Sequence, residues 1–328
     1  MSVLVQKRGL LDTLQDRGRY GYQSLGINPG GVMDLVAMRV ANALVGNQKN
    51  ETVLEMHYPA PALLFEEATL VSLAGADFTA GINGQAFPLH KPVVVQKGSL
   101  LQFAKRERGA RVYLAIAGGF AADEWLGSYS TNLKAGAGGY DGRVLQKGDR
   151  LLQRKENFYP LEEAGQSMKP LSWQANIDQW YRKQSIRFVQ GKDWELLSGE
   201  SLMQLENTLF HIGQDSDRMG YRLQGPAMQL QEIKEMISAA VTRGAVQVLP
   251  DGQLIVLMAD HQTTGGYPVP MHIITADMPA LAQLQPGETF RFEPVTPEEA
   301  IASYHRQEMD LQQLQNACNF RLQQYFNT

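Results

Sequence analysis

Residues 254–268 read Leu-Ile-Val-Leu-Met-Ala-Asp-His-Gln-Thr-Thr-Gly-Gly-Tyr-Pro, an apolar run that passes directly into a polar loop. The run 254–258 is typical of a buried strand, and it stops abruptly before Asp260. The two glycines allow the backbone to bend tightly and to approach other groups closely. Polar loops at the ends of core strands commonly build sites, so this stretch predicts both a β-rich domain and a candidate site.

Short strand-like runs between glycine turns recur through most of the chain. They are rich in β-branched residues and end at Gly, Pro or Asp, which is the sequence signal for strands. Many short strands with few helices favour barrels or sandwiches, so we predict a mainly β protein. The clearest runs lie at 68–73, 92–95, 99–103, 110–116, 186–189 and 245–248.

Two helices are predicted. Asp34 is placed to cap the first, whose apolar positions fall on one face, and Gly46 is placed to end it. The second covers 296–328, where Thr296, Pro297 and Glu299 form a capping-box start and apolar residues then recur at helical spacing. The second helix is therefore amphipathic, and it either packs on its own domain or contacts a partner.

The chain length of 328 residues favours two domains. The segment 156–184 is polar, contains Pro160, Gly165 and Pro170, and has no strand pattern, so we predict that it connects the two. The predicted parts are an N-terminal domain at 1–155, the connection, a C-terminal domain at 185–295 and the helix.

Composition and motifs argue against several classes of protein. The formal net charge of −4 is unlike that of a nucleic-acid-binding protein. The chain has a single cysteine, no N-terminal apolar core long enough for a signal peptide and no membrane-length apolar run, which together predict a cytoplasmic protein. There is no phosphate-binding G-x-x-x-x-G-K-[ST] loop, and the glycine-rich run 136–142 fails the dinucleotide spacing. The histidines lack zinc spacing, so no metal site is predicted, and neither a Gly-x-Ser-x-Gly elbow nor a Met-Lys-Met biotin acceptor occurs.

A second polar string, Asp-Ser-Asp-Arg-Met-Gly-Tyr-Arg-Leu, lies at 215–223. Together with the loop at 259–268, it resembles the sequence of a known family. The two strings closely resemble KipA and the C subunit of 5-oxoprolinase, a family that includes allophanate hydrolase subunit 2 and the carboxyltransferase region of urea carboxylase. Residues 15–22, 31–34, 41–47, 75–78, 117–119, 126–131 and 142–149 continue the match in order, from about Leu11 to Phe292. Two places depart from the pattern: Gln190-Gly191-Lys192 replaces a Pro-Gly-Pro-like turn, and Ser238-Ala239-Ala240 lacks the usual glutamate.

The resemblance implies two cyclophilin-like β-barrel domains and work on small amide-type substrates. The leading hypothesis is the C subunit of an ATP-dependent 5-oxoprolinase, which opens pyroglutamate to L-glutamate. Because the chain has no nucleotide motif, we expect it to be inactive alone and to act with two partner subunits, one KipI-like and the other LamB/YcsF-like. One alternative is the carboxyltransferase component of a biotin-dependent urea carboxylase or allophanate hydrolase-type system, with biotin supplied by a partner. Another is a KipA-like regulatory binder that antagonises a KipI-like kinase inhibitor.

The candidate site residues are polar groups of the matching strings. Asp260 and Asp217 are the candidate catalytic carboxylates. Arginines can grip a substrate carboxylate, amides can donate and accept at once, and hydroxyls can orient a substrate. The candidate substrate-binding residues in the second half are Arg218, Tyr221, Arg222, Gln247, Gln262, Thr263, Thr264 and Tyr267. A similar set in the first half is Asp16, Arg19, Tyr22 and Asp34, of which Asp34 has the alternative role of a helix cap.

Overall fold

The computed structural model describes residues 1–155, 166–181, 185–232 and 236–326. The chain forms two compact units. The first comprises Met1–Gly18, Asp34–Ile177 and Met309–Thr328, and the second comprises Arg19–Met33 and Asp178–Glu308. The predicted boundaries therefore need a correction, because an early segment belongs to the second unit and the end of the last helix belongs to the first. Residues 156–165 and 182–184 of the predicted connection lie outside the described residues.

The first unit consists of two antiparallel six-stranded sheets. Their orders are β11-β1-β4-β9-β6-β7 and β12-β8-β5-β10-β3-β2. The strands are β1 (Ser2–Lys7), β2 (Thr13–Gln15), β3 (Val53–His57), β4 (Ala62–Phe65), β5 (Thr69–Asp77), β6 (Ala80–Ile82), β7 (Gln85–Ala86), β8 (Val93–Val95), β9 (Leu100–Phe103), β10 (Arg108–Ile116), β11 (Arg150–Leu152) and β12 (Met168–Pro170).

Both sheets of the first unit contribute to one apolar core. Val3, Val5 and Phe65 come from the first sheet, and Leu73 and Leu114 come from the second. Strand β12 was not predicted, because its sequence, Met-Lys-Pro, has no strand pattern; it forms by pairing with the Val-Val-Val strand β8.

The second unit is built on a closed seven-stranded barrel in the order β13-β20-β17-β18-β15-β14-β21. Strands β16 and β19 form a separate two-stranded sheet. All neighbouring strands of the barrel are antiparallel except β13 and β21. The strands are β13 (Ser185–Gln190), β14 (Phe210–Ile212), β15 (Gly220–Gln224), β16 (Ala239–Ala240), β17 (Ala245–Val248), β18 (Leu254–Leu257), β19 (Thr264–Gly265), β20 (Met271–Ile273) and β21 (Thr289–Pro294).

Aromatic side chains fill the interior of this barrel. Phe292 contacts Phe188, Phe210 and Phe290, with ring centroids 5.9, 5.1 and 5.0 Å away. These rings are almost inaccessible to solvent. A barrel of this size is filled by its own side chains, so its polar groups must lie on the outer face.

The helices are α1 (Leu35–Leu44), α2 (Asp178–Tyr181), α3 (Gly199–Asn207), α4 (Met278–Ala282) and α5 (Pro297–Phe326). Both predicted starts are confirmed. Asp34 caps α1 by accepting a 2.9 Å hydrogen bond from the Ala37 backbone N–H. At α5, Thr296 and Glu299 exchange side-chain-to-backbone bonds of 2.9 and 3.2 Å, which is the capping box.

The buried side of α5 includes Leu311, Cys318 and Leu322, as its apolar spacing predicts. In the first unit, Tyr325 contacts Trp173, and Gln315 donates to the backbone carbonyl of Asn47. None of the helices in the described residues has the length and apolarity needed to cross a membrane.

Candidate functional site

A cleft of about 560 Å³ lies on the outer face of the second unit. Polar and apolar groups share its lining, which favours a small ligand that carries both. The lining residues are Asp215, Asp217, Met219, Gly220, Arg222, Gln247, Leu249, Pro250, Asp251, Ile255, Leu257, Gln262 and Tyr267.

Strand register explains the floor of the cleft. On three neighbouring strands, Ile255 lies between Arg222 on one side and Gln247 on the other. Because side chains of a strand alternate between its two faces, these three share the outer face. The next outward row pairs Gly220 with Leu257. The absence of a side chain at Gly220 leaves room, since a Cβ there would lie 2.7 Å from Ile255 Cδ1.

Charged groups stand at one side of the cleft. Oδ1 of Asp217 accepts hydrogen bonds from the backbone N–H groups of Met219 and Gly220 at 2.7 and 3.1 Å, so the aspartate shapes its own turn. Arg222 is exposed, and its guanidinium makes no ion pair with a described residue. It is therefore available to a ligand carboxylate.

Arg218 lies outside this cleft. Its Nε and Nη2 donate to Asp260 Oδ2 and Oδ1 at 2.7 and 3.1 Å, a bidentate ion pair. Nη2 also donates to the Gly31 carbonyl at 2.6 Å. Arg218 was predicted to grip substrate and Asp260 to be a catalytic carboxylate; in the structure the two side chains bind each other, and neither lines the cleft.

The ion pair secures segment Arg19–Met33 within the second unit. Arg243 contributes by donating to the backbone carbonyls of Val32 at 3.0 Å and of Met33. A Cβ at Gly30 would lie 3.1 Å from Arg19 Nη1 and 3.7 Å from Asp260 Oδ1, so both side chains lie beside this glycine. Arg19 is 1% exposed and does not line the cleft.

Other predicted residues also have structural positions. Tyr221 is 1% exposed in the barrel core, because it alternates with the outward-facing Gly220 and Arg222. Thr264 lies in the β16–β19 pair opposite Ala240, and the Thr263 carbonyl accepts from the Val241 N–H at 3.0 Å. The side chains of Tyr221, Thr263 and Thr264 do not line the cleft.

The first-half set is divided between the two units. Asp16 and Asp34 belong to the first unit, and Arg19 and Tyr22 to the second. Tyr22 precedes a short 3₁₀ turn and its carbonyl accepts from Leu25. Asp34 is fully buried as the cap of α1.

Asp16 is a buried structural carboxylate. Its oxygens accept from the Gly18 N–H at 2.7 Å, the Ser128 and Ser130 hydroxyls at 2.6 and 2.5 Å, and the Tyr129 N–H at 2.8 Å. Two of the matching strings, 15–22 and 126–131, therefore meet in one hydrogen-bonded network. Asp16 and Asp34, both predicted to bind substrate, accept structural hydrogen bonds instead, Asp16 from backbone N–H groups and serine hydroxyls and Asp34 from the first turn of α1.

Gln262 and Tyr267 occupy the loop that the sequence singled out, and both line the cleft. His261 precedes Gln262, and its Nδ1 lies 2.6 Å from the Gln262 carbonyl oxygen. Burial lowers the pKa of His261, which favours the neutral ring. The two matching strings of the second half thus converge on one site.

Sequence reasoning missed several lining residues. Asp215 belongs to the quoted string but was not selected, and Asp251 lies in the turn between β17 and β18. Ile255 and Leu257 were assigned to a uniformly buried strand. Only their register with Arg222 and Gln247 shows that they face outward, and register requires the strand partners.

The model of the carboxyltransferase domain, subdomains A and B, matches residues 25–294. The chain belongs to this carboxyltransferase family. Its carboxyltransferase relatives include the C subunit of the Haemophilus influenzae 5-oxoprolinase, which is 35% identical over 302 residues, covering 92% of this chain and 94% of the relative. The Escherichia coli protein of the same name is 36% identical over 308 residues, covering 94% and 96%.

A solved carboxyltransferase structure is similar as well. The K. lactis urea amidolyase matches 95% of this chain with a TM-score of 0.85 and 26% identity. This chain corresponds to 20% of that much longer protein. The family and the mainly β architecture predicted from the sequence are both confirmed.

Proposed function

We propose that this chain is the C subunit of an ATP-dependent 5-oxoprolinase and that it supplies the pyroglutamate site. The observation that carries the proposal is the convergence of the two family strings on one cleft. That cleft holds two amides and an arginine that makes no ion pair with a described residue. Similarity to proteins named as the C subunit of 5-oxoprolinase, over more than nine-tenths of both chains, supports it.

The cleft offers a complement to each part of pyroglutamate. Arg222 would bind the carboxylate through paired N–H groups. Gln247 and Gln262 would bind the ring amide, since a primary amide both donates and accepts. Ile255 lies between Arg222 and Gln247 and would contact the ring methylenes.

The reaction needs more than this chain. Opening the lactam with ATP requires phosphoryl transfer to the carbonyl oxygen and then attack of water on the carbonyl carbon. Breakdown of the resulting adduct cleaves the carbon–nitrogen bond, the nitrogen takes a proton, and an acyl phosphate remains. A second water then hydrolyses this acyl phosphate to the carboxylate and inorganic phosphate. Asp217 faces the cleft and is our candidate carboxylate for a proton-transfer role.

Cleft size favours completion by partners. Pockets of about 300–1,000 Å³ hold drug-sized ligands, whereas pyroglutamate is much smaller. The cleft of about 560 Å³ would therefore hold substrate together with a group from a partner protein or from ATP. We propose KipI-like and LamB/YcsF-like proteins as these partners.

A carboxyltransferase role in a biotin-dependent system is the second candidate. The TM-score of 0.85 to urea amidolyase favours it. Because the sequence has no Met-Lys-Met acceptor, biotin would arrive on another protein.

Reconstitution tests the proposal. The chain is co-expressed with the two partner candidates, and pyroglutamate-dependent ATP hydrolysis and glutamate release are measured for the complex, for each pair and for the chain alone. We expect turnover from the complex and none from the chain alone. Turnover by the single chain, or none by any combination, contradicts the proposal, and biotin-dependent carboxylation of urea by the complex favours the second candidate.

A further inference from the structure

Gln247 is buried although it faces outward. It shares the outer row of the barrel with Ile255 and Arg222 and lines the cleft, yet it is 1% exposed. Its Nε2 is buried and has no hydrogen-bond partner in the described part of the chain. An unpaired buried donor destabilises a folded protein, so it needs an explanation in terms of a missing acceptor.

The cover over Gln247 is the two-stranded pair β16–β19, in which Ala239 pairs with Gly265 and Ala240 with Thr264. A Cβ at Gly265 would lie 2.4 Å from Gln247 Nε2, closer than any real contact. Gly265 therefore has no side chain because its strand lies directly on the amide. The backbone of Gly265 is not in the left-handed region, so close approach is the reason for this glycine.

Gly266 provides a contrast. A Cβ there would lie 3.4 Å from Ser238 Oγ, an ordinary contact, and its backbone is likewise outside the left-handed region. Alanine at Gly266 should be accommodated, whereas alanine at Gly265 must displace Gln247 or the cover.

We propose that Gln247 determines specificity: its Nε2 donates a hydrogen bond to the carbonyl oxygen of the substrate amide once the β16–β19 cover opens. The identity of that amide as pyroglutamate rests on the proposed function. Neighbouring strands are about 4.8 Å apart, so Gln247 and Arg222, separated by one strand, start roughly 10 Å apart. Both side chains are long, so the ends of one small molecule can reach them together.

The test measures binding separately from turnover. Equilibrium dialysis of labelled pyroglutamate and labelled urea against the co-purified complex without ATP gives dissociation constants. The variants are Gln247→Leu, which removes the amide, and Gln247→Glu, which keeps its shape but replaces the donor with an acceptor. Gly266→Ala is the matched control for the cover, and melting temperatures are recorded for all samples.

We expect both Gln247 variants to bind the better of the two probes roughly 10- to 100-fold more weakly, as for loss of a buried polar contact. Gly266→Ala should bind like the wild type, whereas Gly265→Ala, whose methyl group must displace either Gln247 or the cover, should change the dissociation constant. Replacing the ring carbonyl oxygen of pyroglutamate by sulfur, a weaker acceptor, should weaken binding to the wild type but make little difference to Gln247→Leu. If Gln247 were purely structural, its replacement would change the melting temperature, but the ratio of the dissociation constants of the oxygen and sulfur probes would be the same for Gln247→Leu as for the wild type.

The inference is overturned if Gln247→Leu binds the oxygen-containing probe as the wild type does, if Gln247→Glu binds better than Gln247→Leu, or if the wild type binds neither probe. Failure of the proposed function is distinguishable, because it leaves wild-type binding intact without pyroglutamate-dependent ATP hydrolysis. Conversely, turnover with an unchanged dissociation constant in Gln247→Leu removes only the role of Gln247.

Discussion

Arg218 and Arg222 lie four residues apart in one family string, and replacing each by alanine should affect a different property of the protein. Arg218→Ala should destabilise the protein, and Arg222→Ala should impair substrate binding. The difference follows from strand geometry. Arg218 precedes β15 and its side chain binds the Gly31 carbonyl, whereas Arg222 lies on the outer face of that strand.

The magnitude for Arg218 comes from its hydrogen bonds to Asp260 and Gly31. Two join it to Asp260 and one to the Gly31 carbonyl, and the side chains of Arg218 and Asp260 are 7% and 23% exposed. Removing one partner of a buried pair costs about 3–5 kcal/mol, because the other charge remains buried without its counter-ion. The partial exposure of Asp260 places the expected loss near the lower value, about 3 kcal/mol.

Arg222 is exposed and its guanidinium makes no ion pair with a described residue, so Arg222→Ala should change the free energy of unfolding by no more than about 0.5 kcal/mol. Loss of a charge-assisted hydrogen bond to a substrate carboxylate costs about 1.5–3 kcal/mol. Because about 1.4 kcal/mol is tenfold in rate, kcat/KM of the assembled complex should fall roughly ten- to hundred-fold.

Urea unfolding of each purified variant and turnover of the reconstituted complex are measured on the same preparations. Arg218→Lys is the control for the ion pair with Asp260: it keeps the charge but not the bidentate geometry, so its stability should lie between those of the wild type and Arg218→Ala. Equal stability of Arg218→Ala and the wild type would refute the structural role of this ion pair. A wild-type kcat/KM in Arg222→Ala would refute the cleft assignment.

Burial raises the pKa of Asp12 from 3.8 to about 7, so the folded chain retains a proton that the unfolded chain releases. The contribution of Asp12 to the free energy of unfolding should therefore fall as the pH rises from about 4 to about 7, by ~3 kcal/mol between pH 5 and pH 8. Burial lowers the pKa values of His261 and His272, which act in the opposite direction. The quantity to measure is therefore the difference in urea unfolding between the wild type and Asp12→Asn, and the exposed control Asp141→Asn should keep the pH dependence of the wild type. Thr296→Ala should lower the free energy of unfolding by about 1 kcal/mol through loss of the α5 cap; an unchanged urea midpoint would contradict this. Asp16→Ala should lower the melting temperature markedly, because four donors lose their acceptor, and wild-type melting would show that the network is dispensable.

Local signals in the sequence predicted the strands and helix starts well. The runs at 110–116 and 245–248 fall within β10 and on β17, because glycine turns and β-branched residues act over a few residues. The caps at Asp34 and Thr296 depend only on neighbours within one helical turn. The convergence of the two family strings was also foreseeable, since both are polar breaks at strand ends.

Individual side-chain roles needed the partners of each strand. The alternation of Gly220, Tyr221 and Arg222 already implied opposite faces for Tyr221 and its neighbours, but not which face was the interior. Nothing near Arg218 in the sequence indicates that Gly31 and Asp260 surround it. The same limit applies to Asp16, whose carboxylate accepts hydrogen bonds from the hydroxyls of Ser128 and Ser130, more than a hundred positions away in the sequence.

The barrel also explains why the candidate site would depend on partner proteins. Its interior is filled by Phe188, Phe210, Phe290 and Phe292, so a ligand can bind only on the outer face. On the outer face, Arg222 and its neighbours are exposed to water, which weakens their electrostatic contacts with a ligand. Water could also enter the site during a reaction in which its access has to be controlled. The β16–β19 pair covers one side, over Gln247, and does not cover Arg222. If the site is catalytic, the remaining enclosure has to come from a partner surface, and this is the structural reason to expect turnover only in the assembled complex.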